Sequence, residues 1–329
     1  MTTICVAVLT YRRPAGLTHL LTDLVPQLDS AARAGWRPSV VVVDNDPDGS
    51  ARDTVERWRS AGTGGGQALD LRYVHESTPG IAAARNRALA ESRSSDLLVF
   101  IDDDETPSPD WLVTLVKAWK SSDADAVAGP VRPVYTTQTA DWIRLGPFHD
   151  APSLPDGARM SHAASGNLLL DRRVVERVGA EFPQIGTRGG EDSYFTHALT
   201  DAGAIIRWCE AAVVTETVPT DRATARWVTT RSLGNGLTWA AVLTSREAGR
   251  GAPHSLTRRL ATTGVGAARV VAGLGTMVDA AARRSHGRLG LGVHRASRGA
   301  GIVAGAWDWV YDEYARPGTR RWRRESASR

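Results

Sequence analysis

Three apolar runs constrain this chain more than any other feature. ICVAVL at 4–9, SVVVV at 39–43 and LLVFI at 97–101 hold almost no polar residue. A strand with one wet face alternates apolar and polar side chains, whereas a strand covered on both faces reads as a continuous apolar run. Segments with helical spacing separate the runs. Leu17, Leu20, Leu21, Leu24 and Leu28 recur at intervals of three and four, just after Pro14. The stretches 54–60, 81–92 and 111–120 read as further helices, and 71–75 and 126–131 as further strands. This alternation predicts an α/β fold with a mostly parallel central sheet and helices on both faces. Ligands of such sheets bind outside the carboxyl ends of the strands. The turns at Thr10–Tyr11, at Asp44–Asn45 and at 102–105 are therefore the candidate site.

The third of these turns is unusual. In VFIDDDETPSPDWL an apolar strand runs directly into Asp102, Asp103, Asp104 and Glu105. Carboxylates packed this closely repel one another, so a positive partner belongs there unless they face water. Magnesium and manganese take one or two carboxylates together with substrate phosphates. The alternative is a helix start, with Asp110 as cap and Glu105 favouring the dipole. That alternative does not explain three aspartates at the strand end. The GTGGG at 62–66 leads into a strand, so it is no dinucleotide fingerprint. No glycine loop follows the first strand, which argues against a Rossmann dehydrogenase. His75, His149, His162 and His197 show no metal-ligand spacing. Cys5 and Cys209 read as a buried, reduced pair of a cytosolic protein, and the N-terminus as a first strand in place of a signal peptide.

Beyond residue 130 the pattern weakens. A strand is expected at 168–170, a helical turn at 172–178, a helix at 191–202, a strand at 204–208, and helices after 222. The charge is uneven: residues 1–228 carry 23 Lys+Arg and 30 Asp+Glu, residues 229–329 carry 17 and 6. The stretch 260–282 is rich in Ala, Gly and Val but contains Arg269 and Asp279, which favours an interfacial or packing helix over a membrane span. In the tail, Arg320, Arg321, Arg323 and Arg324 flank Trp322. That pattern suits peripheral contact with an anionic membrane, a solvated tail being the alternative. It carries no nucleic-acid-binding motif, so no nucleic acid partner is expected.

Taken in order, VAVLTYRRPAGL, VVVVDNDPDGSA, GIAAARNRAL, LLVFIDDDETPSPDWL, SGNLLLDRRVVERVG and GGEDSYFTHAL resemble the inverting glycosyltransferases of family 2, which have the GT-A fold. The first four stretches are most similar to the branch of succinoglycan-type exopolysaccharide glucosyltransferases. The resemblance covers residues 3–236. It implies a catalytic domain at 1–236, with a nucleotide-binding half at 1–125 and an acceptor-binding half at 126–236. A helical, basic C-terminal extension at 237–329 follows.

The resemblance also implies roles. Thr10 and Tyr11 line the uracil pocket with Asp44 and Asn45, where Asn45 replaces a frequent aspartate. Arg85 and Asn86 approach the nucleotide. Asp102 holds the ribose, Asp103 lies beside it, and Asp104 binds a divalent metal, Mn2+ or Mg2+, on the diphosphate. Asp192 is the base, next to Glu191. Glu216 stands where many members carry a metal-contacting histidine. Gly166 and Asn167 belong to the acceptor-side strand. Trp142 either floors an acceptor site or fills a small apolar cluster, and Arg12 and Arg13 either approach the diphosphate or sit in a solvated turn.

The expectation is a metal-dependent transferase that moves a sugar from a UDP-sugar to a hydroxyl of a saccharide or lipid-linked acceptor. It would be cytoplasmic or peripheral to the inner face of the plasma membrane. The alternatives are a natural-product acceptor, or a nucleotide-sugar-binding protein without turnover.

Overall fold

The structure, a computed structural model, describes residues 1–61, 70–149, 154–185, 189–248, 256–311 and 322–324. The chain begins β1 (Thr3–Thr10), α1 (Pro14–Arg33), β2 (Arg37–Asp44), α2 (Arg52–Ala61), β3 (Leu71–His75), α3 (Ile81–Glu91) and β4 (Leu97–Asp102). Next come β5 (Glu105–Pro107), α4 (Trp111–Lys120), β6 (Ala126–Ala128), β7 (Val131–Val134), α5 (Asp141–Arg144), β8 (Arg159–Met160) and β9 (Asn167–Asp171). The remaining elements are α6 (Arg172–Val178), α7 (Glu191–Asp201), β10 (Ile206–Trp208), β11 (Val214–Thr217), α8 (Ala225–Ala248), α9 (Leu256–Arg283), α10 (His286–Gly305), β12 (Trp309–Tyr311) and β13 (Trp322–Arg324). They form two compact units. One comprises residues 1–133, 151–184 and 191–217, the other 134–150, 185–190 and 218–329.

The first unit is built on a sheet ordered β3-β2-β1-β4-β9-β6-β10-β8. Strands β1 to β4 are mutually parallel, β9 runs against β4 and β6, and β10 is parallel to β6. The apolar runs occupy its centre, as a two-sided strand requires. Ile4, Val6 and Val8 pack with Leu17, Leu21, Leu24, Val55, Leu112 and Leu115, from α1, α2 and α4. Cys5, Ala7 and Leu9 pack on the other face with Ala84, Ala88, Val174, Phe195 and Leu199, from α3, α6 and α7. Alternate residues of one strand thus enter two cores, and both sheet faces are covered by helices.

Three local details differ from the sequence reading. Asp110 does not cap α4: its backbone is left-handed (φ 57°) and its side chain makes no cap bond. Instead Gln27, a buried polar residue of α1, accepts from Leu112 N at 3.3 Å and donates to Ser108 O at 2.9 Å. The expected strand over 126–131 is split into β6 and β7. A small sheet, β5-β11-β7, was not anticipated; its strands are only three or four residues long and hold Glu105, Thr106, Thr215 and Glu216.

The second unit is helical. Glycines bring its backbones close: a Cβ on Gly266 would lie 2.8 Å from Gly299 O, and one on Gly273 would lie 2.8 Å from Gly292 O. Arg320 and Arg321 of the basic tail lie outside the described residues, and of 322–324 only the β13 backbone is described.

Two histidines sit inside this unit. His149 stacks on Trp227 with centroids 4.9 Å apart and bonds Tyr135 Oη at 3.0 Å. His294 bonds Ser232 Oγ at 3.1 Å. Burial, assisted by nearby arginines, pushes both down to about 4. The unfolded chain therefore binds more protons than the native one between that value and the ordinary ~6.5. The stabilising contribution is complete above pH ~6.5 and is lost as pH falls toward 4. Chemical unfolding of wild type between pH 7.5 and 4.5 is expected to show a loss on the order of 5 kcal/mol relative to a His149→Gln, His294→Gln variant. Parallel pH profiles for the two proteins would contradict this.

Candidate active site

Between β1 and β4 the sheet order reverses: the chain leaves β1 toward β2 and β3, then returns to β4 on the other side. Loops departing in opposite directions leave a crevice at the strands' carboxyl ends. The turn after β1 and the acidic turn after β4 border that crevice.

The TYRRP turn is held by charge. Arg12 has a left-handed backbone (φ 56°), rare outside glycine. Its guanidinium donates to Asp46 at 3.0 Å and Asp48 at 3.3 Å, and lies 5.3 Å from the centroid of the exposed Tyr11 ring. Arg13 is the cation that the acidic turn required. Its Nη1 donates to Asp103 Oδ1 at 2.9 Å and to Asp104 Oδ2 at 2.6 Å. Thr10 Oγ1 donates to Asp103 Oδ2 at 2.8 Å. A Cβ on Gly16 would stand 2.6 Å from Asp103 O, so the acidic turn rests directly on the first turn of α1.

One arginine does not neutralise the cluster. Burial pushes the Asp102 carboxyl up to about 6, opposed by Arg85 and reinforced by Asp104, Asp103 and Glu216. Burial and the Asp102 charge raise Glu105 well above the carboxylate range. Glu105 Oε2 accepts from Asp102 N at 3.0 Å. Glu216 is register partner to Glu105 across β11 and β5. Burial is the first cause of both shifts and neighbouring carboxylates add to it, and every donor is a hard oxygen. Among the described residues no three His, Cys, Asp or Glu side chains form a cage of their own. Such hard oxygens suit a divalent cation whose shell is completed by a substrate's phosphates, and Asp104 and Glu216 both act electrostatically on Asp102 and Glu105.

The segment that begins α7 reaches the same place through α3. Arg85 is buried and ion-paired to Glu191, the first residue of α7. Its guanidinium lies 5.6 Å from the centroid of Phe182, which stacks on Phe195 at 4.0 Å. Asn86 clamps the Phe182 backbone from both sides, donating to its O at 2.9 Å and accepting from its N at 2.8 Å. Gly189 and Gly190 both have positive φ, 76° and 89°, in the backbone that leads into α7. Asp192 follows Glu191, is half-buried, and accepts from Ser193 N at 2.6 Å.

Arg13 therefore joins Asp103 to Asp104 and Thr10 joins them through Asp103, while Asp102, Glu105, Glu216, Arg85 and Glu191 form a second, linked group. Gly166 belongs with them: a Cβ there would lie 2.6 Å from Glu105 Oε1 and 3.2 Å from Asp102 Oδ2. Other candidate residues are committed elsewhere. Asp44 is fully buried and accepts from Asp46 N, Ala51 N and Tyr73 Oη at 3.0, 2.8 and 3.1 Å. The Asn45 amide donates to Glu76 O and Thr78 O at 3.0 and 2.7 Å and accepts from Gly80 N at 2.8 Å. Buried Asn167 donates to Pro130 O and Ala212 O at 3.1 and 2.7 Å and accepts from Trp111 Nε1 at 2.9 Å. Trp142 lies in the helical unit, edge-on to Phe148 at 5.6 Å. The sequence reading gave Gly16 no role and left Arg13 undecided. The one available signal for Arg13 was a cation on the strand-end turn next to the acidic one.

A family model described as Glycosyl transferase family 2 matches residues 5–179, more than half of the chain. The succinoglycan biosynthesis protein ExoM of Rhizobium meliloti is 36% identical over 245 residues, which span 74% of this chain and 76% of that protein. Among solved structures, residues 1–349 of S. aureus TarS match with a TM-score of 0.52 at 14% identity, over 98% of either chain. GalNAc-T7 with UDP, GalNAc and Mn2+ matches with a TM-score of 0.54 at 13% identity, over 78% of this chain and 52% of that one. At such identities these structures establish a shared fold, the GT-A arrangement expected from the sequence.

Substituting Gly166→Ala is expected to displace the Glu105 carboxyl and break its bond to Asp102 N. Nucleotide affinity should fall about tenfold, equivalent to ~1.4 kcal/mol, with an unchanged circular-dichroism spectrum. Unaltered affinity would show that the close approach at Gly166 is dispensable.

Proposed function

This chain belongs to glycosyl transferase family 2, and from that premise we propose that it is an inverting transferase moving a sugar from a UDP-sugar to a saccharide hydroxyl. One observation carries this reading. Arg85 faces Asp102 electrostatically and is paired to Glu191. The strand-end carboxylates and the acidic start of α7, about 90 residues apart in sequence, thus belong to one charged assembly. Inversion asks for that pairing: one carboxylate group for the nucleotide diphosphate, another on the opposite side of the anomeric carbon for the acceptor hydroxyl.

In this reading Tyr11 offers its exposed ring to the base, with Thr10 beside it. Asp102 meets the ribose. Asp44 and Asn45 act indirectly, through the 46–51 turn and the 76–80 loop that they hold. Asp104 and Glu216 would hold a divalent cation, Mn2+ or Mg2+, which when bound supplies positive charge to the leaving diphosphate. Arg13 exchanges its Asp104 partner for a phosphate oxygen. Asp192 removes the proton from the attacking hydroxyl, and Glu191 with Arg85 fixes the start of α7 so that Asp192 is presented to the acceptor. Gly166 keeps the floor of the crevice open.

The UDP and Mn2+ named with GalNAc-T7 support the donor class and the cation. The succinoglycan assignment of ExoM supports a growing exopolysaccharide as acceptor, lipid-linked in the fuller form of the proposal. Two buried free cysteines, Cys5 and Cys209, fit a reducing, cytoplasmic setting.

Two variants separate the roles. Asp192→Asn is expected to leave UDP-sugar affinity within about twofold while turnover falls roughly 10²–10⁴-fold. Asp104→Asn is expected to abolish the metal dependence of nucleotide binding. Near-normal transfer by Asp192→Asn would place the base elsewhere, and a retained metal dependence in Asp104→Asn would remove that carboxylate from the cation site.

A further inference from the structure

Helix α9 is built inside out for a helix in water. A surface helix of a globular protein turns its large apolar side chains inward. Here the inward contacts are made by glycine: Gly266 and Gly273 of α9 lie against Gly299 and Gly292 of α10, with prospective Cβ-to-oxygen distances of 2.8 Å. The large side chains point the other way. Leu256, Leu260, Val271, Leu274 and Val278, which share one face, are 64, 56, 69, 52 and 72% exposed. The buried residues of the helix are Gly266, Gly273 and Ala280, all small. Small residues between helices and large apolar residues outside is the pattern of helices whose surroundings are hydrocarbon.

Charge defines the orientation and the kind of surface. Arg258 and Arg259 lie at one end of α9, and Arg283, Arg284 and Arg288 at or just beyond the other. Arg269 is exposed near the middle, while Arg295 and Arg298 lie on the adjoining α10. Crossing a bilayer would carry these three charges into hydrocarbon. Lying in the headgroup plane keeps the exposed Arg269 and Arg295 at the level of the phosphates while the leucines and valines enter the acyl boundary. Residues 256–311 hold eight arginines and two acidic residues. Both acids are already paired, Asp279 with Arg283 and Arg288, and Asp308 with Arg259. A second copy of the chain would bring the same arginines against these; an anionic lipid surface complements them.

The geometry points to α9 as an interfacial anchor that lays its outer face on an anionic bilayer. This goes beyond the transfer chemistry and stands independently of it.

Flotation of the full chain with vesicles tests the inference directly. Wild type should float with phosphatidylcholine vesicles containing about 30 mol% phosphatidylglycerol, about tenfold more than with phosphatidylcholine alone. The triple variant Val271→Ser, Leu274→Ser, Val278→Ser should lose about tenfold of that recovery. Equal recovery of variant and wild type, or no flotation of wild type, would overturn the proposal. So would a concentration-dependent dimer, seen by light scattering, that the triple variant dissolves. Should the triple variant fail to fold, Val271→Cys carrying an environment-sensitive dye gives a second readout. The native cysteines are buried, the dye should shift to the blue on the anionic vesicles, and an unshifted spectrum would contradict the anchor.

Discussion

The Arg85 guanidinium ties together parts of the chain that sequence keeps far apart. It is buried, paired to Glu191, and the main opposing charge to the burial that lifts Asp102. Removing one member of a buried ion pair leaves a desolvated charge, at a cost of about 3–5 kcal/mol. The pair is framed accordingly. Phe182 lies under the guanidinium and stacks on Phe195, and Asn86, the next residue of α3, locks the Phe182 backbone. Helix α3 thus does more than cover the sheet. It sets the strand-end carboxylates and the start of α7 in one frame.

The rest of the site follows from the same excess of negative charge. Asp103 is satisfied within the protein, by Thr10 and Arg13. Glu105 is turned inward to the Asp102 amide. Asp104 is half-buried and held by a partly exposed arginine, so its partner is the one most easily exchanged. A cluster arranged this way has two internal anchors and one carboxylate available at the crevice. The fourth acid, Asp102, is half-buried, and Arg85 opposes the rise of its carboxyl.

Much of this was legible in the sequence, and the reason is physical. Two-sided burial forces continuous apolar runs, so the central strands and their order of alternation with helices could be read directly. Like-charge repulsion made the acidic turn conspicuous. What was illegible depends on partners that no local pattern encodes. Asn45 and Asn167 sit at strand ends, where an amide suits a ligand as well as it suits a neighbouring backbone; their partners are carbonyls and an amide at 76–80, 130 and 212, and an indole at 111. Nothing in the α1 sequence marks Gln27 as the residue that caps α4. Strands of three polar-rich residues, such as β5, carry no periodicity to detect. The glycines of α9 and α10 lowered the apparent apolar content of that region, and only their packing shows that the larger residues lie outside.

The central claim is that the carboxylates after β4 are completed by a divalent cation and a nucleotide diphosphate. Calorimetric titration of UDP into the purified chain, first with manganese and then with EDTA, tests it most directly. Binding heat with manganese that vanishes in EDTA is the expected result. Binding of equal strength in both solutions, or none in either, would contradict the claim.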